Sequence, residues 1–205
     1  MNRPLSVAAH LSAGLLVLIL AGWAAGEIWV SSIGSAESEL MRELAAGRSL
    51  GSIELAQAVT WLGSLWVLIP VGLASCFVLA RAGLVVEAVA LAGGLAGAVL
   101  VTDVTKALVS RPRPPVEHLQ HVSSSSFPSS HATQAGAFWL SFALALRAAS
   151  ISRRLLLAAF AGAALIVVAV AWSRVYLGVH YPSDVVAGIL LGSLWAIHVA
   201  RCLYR

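Results

Sequence analysis

Polar residues suited to phosphate chemistry stand in three clusters along a chain that is otherwise apolar. The clusters span residues 106–114, 127–131 and 173–184. Lys106, Arg113 and Arg174 supply three fixed cations within them. Three cations suit a phosphoryl group, because its negative charge spreads over several oxygens in the transition state of a displacement. The clusters therefore predict a phosphate-binding site.

Two histidines have the chemistry to divide a displacement at phosphorus between them. His180 and Asp184 stand four residues apart, so the carboxylate can accept from one ring nitrogen and leave the other free to attack. His131 can protonate the leaving oxygen and later activate water. Ser129 and Ser130 precede a helix, where backbone N–H groups and hydroxyls form an anion site. We predict no metal and no cofactor, because the cations already neutralise the phosphate and magnesium would want clustered carboxylates.

The composition indicates that this chemistry takes place in a membrane. Of the 205 residues, 60% are hydrophobic and 11% are charged, and the mean hydropathy is +0.90. A soluble domain of this length needs more charge to cover its surface. The formal charge of +4 does not indicate nucleic acid, since the basic residues stand singly between apolar spans. We therefore expect membrane lipids as partners and no nucleic acid; the oligomeric state is left open.

Six apolar segments approach the length of about 20 residues that a spanning helix needs. They are roughly Val7–Val30, Val59–Ala80, Gly83–Thr105, Ala132–Leu146, Leu155–Trp172 and Ser183–Ala200. The first is also compatible with a cleavable signal peptide, but its length favours a retained helix. The fourth is short and spans only if Ser129–His131 belongs to the helix. We predict an all-α bundle of six transmembrane helices, a single domain over residues 1–205 with its catalytic part at 103–188.

Topology brings the three clusters together. The loop joining helices three and four and the loop joining helices five and six must lie on the same side of the membrane. With a cytoplasmic N-terminus, seven basic residues lie inside and six outside, and the short inner loops carry no acidic residue. The inner set is Arg3, Arg81, Arg147, Arg153, Arg154, Arg201 and Arg205. We therefore expect both termini in the cytoplasm and the site at the outer face of the cytoplasmic membrane.

The first outer loop, Ser31–Gly51, is expected to hold a short amphipathic helix at Ala36–Ala46. Its apolar residues fall on one helical face, and Gly47 is a plausible stop. Such a helix could lie at the lipid interface and gate lipid entry, or it could pack on the surface of the bundle. Both interpretations stay open. In the third apolar segment, Asp103 stands three residues before Lys106 and is expected to pair with it.

These residues resemble the signature of the type 2 phosphatidic acid phosphatase superfamily. That signature is Lys, six residues, Arg-Pro; then Pro-Ser-Gly-His; then Ser-Arg, five residues, His, three residues, Asp. The chain carries the first part from Lys106 to Pro114 and the third from Ser173 to Asp184, with the same spacing. Ser130 stands where the signature has glycine, and we expect a helix-entry position with an ordinary φ that tolerates serine.

The resemblance covers the C-terminal half of the chain, whereas the N-terminal half is similar only in hydropathy and helix count. It implies that His180 is the nucleophile, Asp184 its orienting carboxylate and His131 the acid and base. It also implies a set of phosphate ligands, which are Lys106, Arg113, Ser129, Ser130 and Arg174. This agrees with the roles inferred from residue chemistry.

Several functions are compatible with such a site. A lipid phosphatase would hydrolyse phosphatidate, phosphatidylglycerophosphate or a polyprenyl diphosphate through a phosphohistidine. A phosphotransferase would pass the phosphoryl group to another lipid or sugar. A non-catalytic binding or transport protein is disfavoured, because binding needs cations but no nucleophile. A vanadium haloperoxidase, which shares the motifs, is disfavoured because those relatives are soluble.

Overall fold

The structure, a computed structural model, describes residues 3–149 and 151–204 and contains helices but no strand in those ranges. The seven α-helices are α1 (Arg3–Ala46), α2 (Leu50–Thr60), α3 (Leu65–Arg81), α4 (Val85–Val109), α5 (Ser130–Ala148), α6 (Arg153–Tyr176) and α7 (Pro182–Leu203). A 3₁₀ turn at Trp61–Gly63 joins α2 to α3. The all-α prediction is confirmed. Arg205 and the side chain of Arg3, both counted on the inner side, lie outside the described residues.

Four described helices are individually long and apolar enough to cross a membrane: α1, α4, α6 and α7. A fifth span arises if α2 with its 3₁₀ turn and α3 are taken together, although they meet at a bend of 44°. The 19-residue α5 is less apolar, because its first turns carry Ser130, His131, Thr133 and Gln134. It lies inside the bundle, where other helices shield Thr133 and Gln134, while Ser130 and His131 line a cavity. The count of six spans therefore stays a prediction.

The hydropathy pattern predicted that the first helix ends near residue 30, but the helix continues beyond it. α1 runs unbroken to Ala46, so Ala36–Ala46 is helical but forms the last turns of α1 and not a separate interfacial helix. The predicted loop shrinks to the three residues that separate α1 from α2. The physical reason is inward packing, since Glu37 and Met41, one turn apart, are both buried. The helix ends just before Gly47, as predicted.

Close packing of α5 against α7 positions the polar end of the bundle. Gly188 and Gly192 lie one turn apart on α7 and face α5. A Cβ at Gly192 would come within 2.1 Å of the Thr133 carbonyl oxygen, and one at Gly188 within 2.8 Å of the Ser129 carbonyl oxygen. Small residues at such contacts let helix backbones approach closely. The first turns of α5 and α7 therefore lie side by side.

Candidate active site

Two of the cavities among the described residues lie at opposite ends of the bundle. The larger, about 820 Å³, lies between Glu87, Arg147 and Arg201 and touches none of the predicted site residues. The second, about 370 Å³, lies where α5 begins. Its lining includes five of the eight predicted residues, Arg113, Ser130, His131, Arg174 and His180. The clusters that are far apart in sequence are thus brought together at one end of the molecule.

His180 presents its two ring nitrogens to different neighbours. Nδ1 lies 3.4 Å from Oδ2 of Asp184, and Nε2 lies 3.4 Å from Nη1 of Arg113 at the cavity. At this separation Nδ1 makes no hydrogen bond to the carboxylate, but catalytic pairs are often far apart before substrate binds and tighten afterwards. His180 and Asp184 are both buried. Nε2 is therefore the nitrogen available to a group in the cavity.

Asp184 is fixed by donors from three parts of the chain. Oδ1 accepts from Nη1 of Arg111 at 2.7 Å. Oδ2 accepts from the Ser126 hydroxyl and, at 2.9 Å, from the backbone N–H of Tyr181. The carboxylate also lies in the first turn of α7, which begins at Pro182, where the helix dipole favours negative charge. Asp184 therefore presents a fixed negative charge to the His180 ring.

Arg174 lies buried at the cavity wall with part of its guanidinium unused. Nη1 donates to Oγ1 of Thr60 at 2.9 Å and also to Oε1 of Gln120. Nε is buried and has no hydrogen-bond partner among the described residues. The guanidinium can therefore still donate to a phosphate oxygen.

Lys106 and Arg113 are held by the loop that precedes α5. Nζ of Lys106 donates to the carbonyl oxygens of Ser125 and Ser126. Nε of Arg113 donates to the Ser124 carbonyl oxygen at 2.9 Å. The predicted pairing of Lys106 with Asp103 is wrong, because Asp103 lies on the exposed side of α4. Lys106 is not among the residues that line the cavity, so it acts on the cavity through its positive charge and not by contact.

The start of α5 has the helix-entry geometry on which the predicted anion site depends. Ser129 is the N-cap and Ser130 the first helical residue, and the first N–H groups of a helix have no intrahelical partner. The Ser129 hydroxyl is buried without a hydrogen-bond partner among the described residues. Ser110 is the one non-glycine residue with a positive φ in the described ranges. Ser130 therefore has an ordinary φ, as predicted, and tolerates its side chain.

Sequence reasoning missed several residues around the candidate site, and three of them lie in the segment between α4 and α5. Arg111 binds Asp184, Ser126 binds the same carboxylate, and Gln120 binds Arg174. Arg111 carried a weak signal. It begins the sequence Arg-Pro-Arg-Pro, whose second Arg-Pro pair matches the signature. Ser126 and Gln120 carried no signal, since both lie in a loop with no periodicity.

Burial lowers the pKa of His180 to about 3, against an opposing effect of Asp184 that raises it. His180 is therefore neutral, as a nucleophile must be, at any pH well above 3. In the unfolded chain it binds a proton near its ordinary pKa of about 6.5. Folding stability tied to this group is thus present above about pH 6.5 and is lost as the pH falls toward the folded pKa.

The acid sensitivity of the fold should therefore decrease when His180 is replaced. In wild type, lowering the pH from 7 to 4.5 should cost about 2–3 kcal/mol through this residue. His180→Gln should show a smaller drop in melting temperature over that interval, measured on purified protein in detergent. An equal drop in both proteins would mean that His180 is not buried in its neutral form.

Comparison with known proteins shows the family to which this helical bundle belongs. The chain belongs to the PAP2 superfamily, whose sequence model matches residues 87–205. That match contains all three polar clusters. Together with the apolar helices and a transmembrane relative, it makes the chain a multi-pass membrane protein.

Individual relatives match part of the chain in sequence. Over 76 residues the chain is 42% identical to an Escherichia coli (strain K12) protein named undecaprenyl-diphosphatase YbjG, covering 37% of this chain and 34% of that one. Over 97 residues it is 37% identical to phosphatidylglycerophosphatase B of Bacillus subtilis (strain 168), covering 46% and 47%. The aligned chain thus spans less than half the length of these relatives.

A solved structure extends the likeness to the whole fold. It is the crystal structure of a transmembrane PAP2 type phosphatidylglycerolphosphate phosphatase from Bacillus subtilis. The TM-score is 0.75 at 28% identity, covering 98% of this chain and 96% of that one. The N-terminal helices, which lie outside the superfamily match, are therefore included in the shared architecture.

Proposed function

We propose that this protein is a metal-independent lipid phosphatase that hydrolyses a phosphomonoester or diphosphate of a membrane lipid through a phosphohistidine at His180. One observation carries the proposal. Nε2 of His180 faces a cavity walled by Arg113 and Arg174, while Nδ1 faces the fixed carboxylate of Asp184. Binding alone would need the cations but not a histidine aligned in this way.

The first step transfers the phosphoryl group to the protein. The Nε2 lone pair of His180 attacks phosphorus, and the bond to the lipid oxygen breaks. Asp184 stabilises the positive charge that the ring gains, while Arg113 and Arg174 stabilise the oxygens of the transferring group. His131, in the first turn of α5, acts in its protonated form and gives a proton to the leaving lipid oxygen.

The second step releases phosphate. His131 now lacks its proton and takes one from a water molecule, whose oxygen attacks phosphorus. The N–P bond breaks, and the electron pair returns to Nε2 of His180. Free phosphate leaves and both histidines regain their starting protonation. Lys106, Ser129 and Ser130 add positive charge and hydrogen-bond donors around the same oxygens.

The surroundings of the cavity favour a lipid as substrate. Trp61 and Trp66 line its mouth and are among the exposed large side chains. Tryptophan is enriched where a membrane meets water, so the mouth lies at the level of lipid headgroups. Two relatives are named for an undecaprenyl diphosphate and a phosphatidylglycerophosphate substrate. Both compounds are lipids that end in a phosphate or diphosphate.

The proposed topology has six spans in one domain over residues 1–205. α1, α4, α6 and α7 each cross once, α2 and α3 cross together, and α5 crosses inside the bundle. Both termini then lie in the cytoplasm, and the cavity opens at the outer face of the cytoplasmic membrane. The basic residues of the short inner loops support this orientation.

A panel of purified lipids tests the proposed function. Phosphatidate, phosphatidylglycerophosphate and a polyprenyl diphosphate are each incubated with protein in detergent micelles, and released phosphate is measured. Phosphatidylglycerol, a phosphodiester, is the matched control and should release none. Release from at least one panel member without an added acceptor supports a phosphatase. Transfer of the phosphoryl group to an added acceptor alcohol, with no free phosphate, would indicate a phosphotransferase, and binding with neither release nor transfer would contradict both.

Chelation should leave the activity unchanged, whereas vanadate should abolish it. The transition state is stabilised here by fixed cations of the protein, so EDTA removes nothing that the reaction uses. Vanadate mimics five-coordinate phosphorus and should bind as a transition-state analogue does. Both are measured as phosphate release from the best panel substrate. Loss of activity in EDTA, restored by added magnesium or zinc, would contradict the metal-independent mechanism.

A further inference from the structure

A carboxylate from α1 contacts the residues that surround Asp184. Glu37 is 7% exposed although it lies on the helix that is otherwise the least buried candidate span. Its Oε2 accepts from Nη2 of Arg111 at 2.8 Å and from the Ser183 hydroxyl at 2.7 Å. Its Oε1 accepts from the backbone N–H of Ser183 at 2.7 Å. Glu37 thus binds both the start of α7 and the arginine that binds Asp184.

Arg111 bridges two carboxylates inside the protein. Nη2 binds Glu37, and Nη1 binds both Oδ1 of Asp184 and the Ser183 hydroxyl, each at 2.7 Å. The guanidinium also stacks on the ring of Tyr181, with its carbon 3.9 Å from the ring centroid. Buried charges of this kind are tolerated when every one is paired. The group carries two negative charges and one positive, a net charge of −1 beside His180.

We propose that Glu37 and Arg111 are positioning residues for the reaction, which hold Asp184 in place and keep its negative charge available to His180. The proposal rests on the function proposed above. Neither residue belongs to the predicted set, and Glu37 lies outside residues 87–205 that match the superfamily. The extension of α1 beyond its apolar part is what brings this carboxylate to the site.

The charge balance explains why Glu37 matters to a reaction it does not touch. His180 gains positive charge when Nε2 bonds to phosphorus, and the Asp184 carboxylate must stabilise that charge. With Glu37 present, Arg111 shares its charge between two carboxylates. Without it, the full charge of Arg111 falls on Asp184, which then stabilises the His180 ring less. The cations at the cavity have no contact with Glu37, so substrate binding should change little.

Glu37→Gln tests this role, with Glu39→Gln as its matched control. Glu39 lies two residues further along α1, but its carboxylate is exposed and pairs with Arg42 at the surface. Glu37→Gln should lower kcat roughly 10- to 100-fold, the usual cost of losing a group that orients a reactive residue's partner. KM should stay within about twofold of wild type, as should both constants of Glu39→Gln. An unchanged kcat in Glu37→Gln would overturn the proposal.

A second variant separates positioning from folding. Ser183→Ala removes the hydroxyl that joins Glu37 to Arg111 but leaves the backbone N–H of Ser183 bound to Glu37. It should fold, as judged by its size-exclusion profile and melting temperature, and lower kcat several-fold at unchanged KM. If Glu37→Gln does not fold, this variant decides. A kcat equal to wild type would then overturn the proposal.

Vanadate binding distinguishes failure of this inference from failure of the proposed function. Orthovanadate bonds to the attacking nitrogen, so its affinity reports the placement of His180 without any turnover. Should wild type release phosphate from no lipid, the proposed function fails, and calorimetric titration with orthovanadate still tests the inference. Glu37→Gln should bind it about tenfold more weakly than Glu39→Gln does. Equal affinities, or no vanadate binding by wild type, would overturn the positioning role.

Discussion

Replacing His180 by glutamine is expected to abolish phosphate release, with a loss of at least about 10⁴-fold in kcat. Glutamine occupies a similar volume and can still donate toward Asp184, but it offers no nitrogen lone pair with which to attack phosphorus. No phosphoenzyme should form, and the cavity should still bind a lipid phosphate through its cations. The measurement is phosphate release from the best substrate together with equilibrium binding of that substrate.

His10→Gln is the matched control for this variant. His10 is an exposed histidine on α1, whose Nδ1 contacts the Ser6 carbonyl oxygen, far in sequence from every cluster. It should keep wild-type kcat and KM within about twofold. Residual turnover above about 0.01% of wild type in His180→Gln would mean that another group attacks phosphorus, or that water attacks directly.

Replacing His131 by alanine is expected to lower turnover of a lipid phosphate roughly 10²- to 10⁴-fold, the range that general acid–base catalysis contributes. The two steps should respond differently. p-Nitrophenyl phosphate has a leaving group that needs no proton, so the first step should survive in this variant. Hydrolysis of the phosphohistidine still needs a base and should stay slow. His131→Ala should therefore release about one equivalent of nitrophenol rapidly and then nearly stop.

The burst experiment carries its own control. His180→Gln should give no burst with the same substrate, because no covalent intermediate forms. Wild type should give steady release, since its second step is intact. A His131→Ala protein that turns over p-nitrophenyl phosphate steadily at the wild-type rate would contradict the role of His131 as base in the second step.

The grouping of the candidate site residues was largely predictable, because such residues are costly to place in a membrane without a function. Lys106, Arg174 and Asp184 interrupt apolar segments, and ionisable groups at membrane depth are expensive unless they are used. Counting the predicted spans then placed the loops that carry these residues on the same side of the membrane. The structure brings these residues together at one end of the bundle. Spacing and topology were sufficient because each cluster is local in sequence.

The contribution of α1 could not be predicted for the opposite reason. Glu37 meets Arg111 and Ser183 across 74 and 146 residues, and no local pattern encodes a contact of that range. Glu37 resembled its neighbour Glu39, a surface residue of an amphipathic segment. Hydropathy also misplaced the end of the helix, since it records only the apolar span. The helix continues beyond that span because Glu37 and Met41 pack into the protein interior.

Asp103 shows the limit of spacing as a guide to ion pairs. A separation of three residues places two side chains on neighbouring positions of a helix, and this spacing predicted its pairing with Lys106. In the structure Lys106 turns inward to the carbonyl oxygens of Ser125 and Ser126. Carbonyl groups of an irregular loop carry no sequence signal, because every residue has one. The hydrogen bonds of Lys106 to these carbonyl oxygens depend on how the loop folds over the end of α4.

The most direct test is to locate the phosphoryl group on the protein during turnover. Purified protein is mixed with a lipid radiolabelled in its terminal phosphate, quenched in alkali within one turnover, and digested for mass spectrometry. The label should be stable in alkali, labile in acid, and confined to the peptide that contains His180. Rapid phosphate release with no label on the protein, or label on any other residue, would contradict a phosphohistidine at His180.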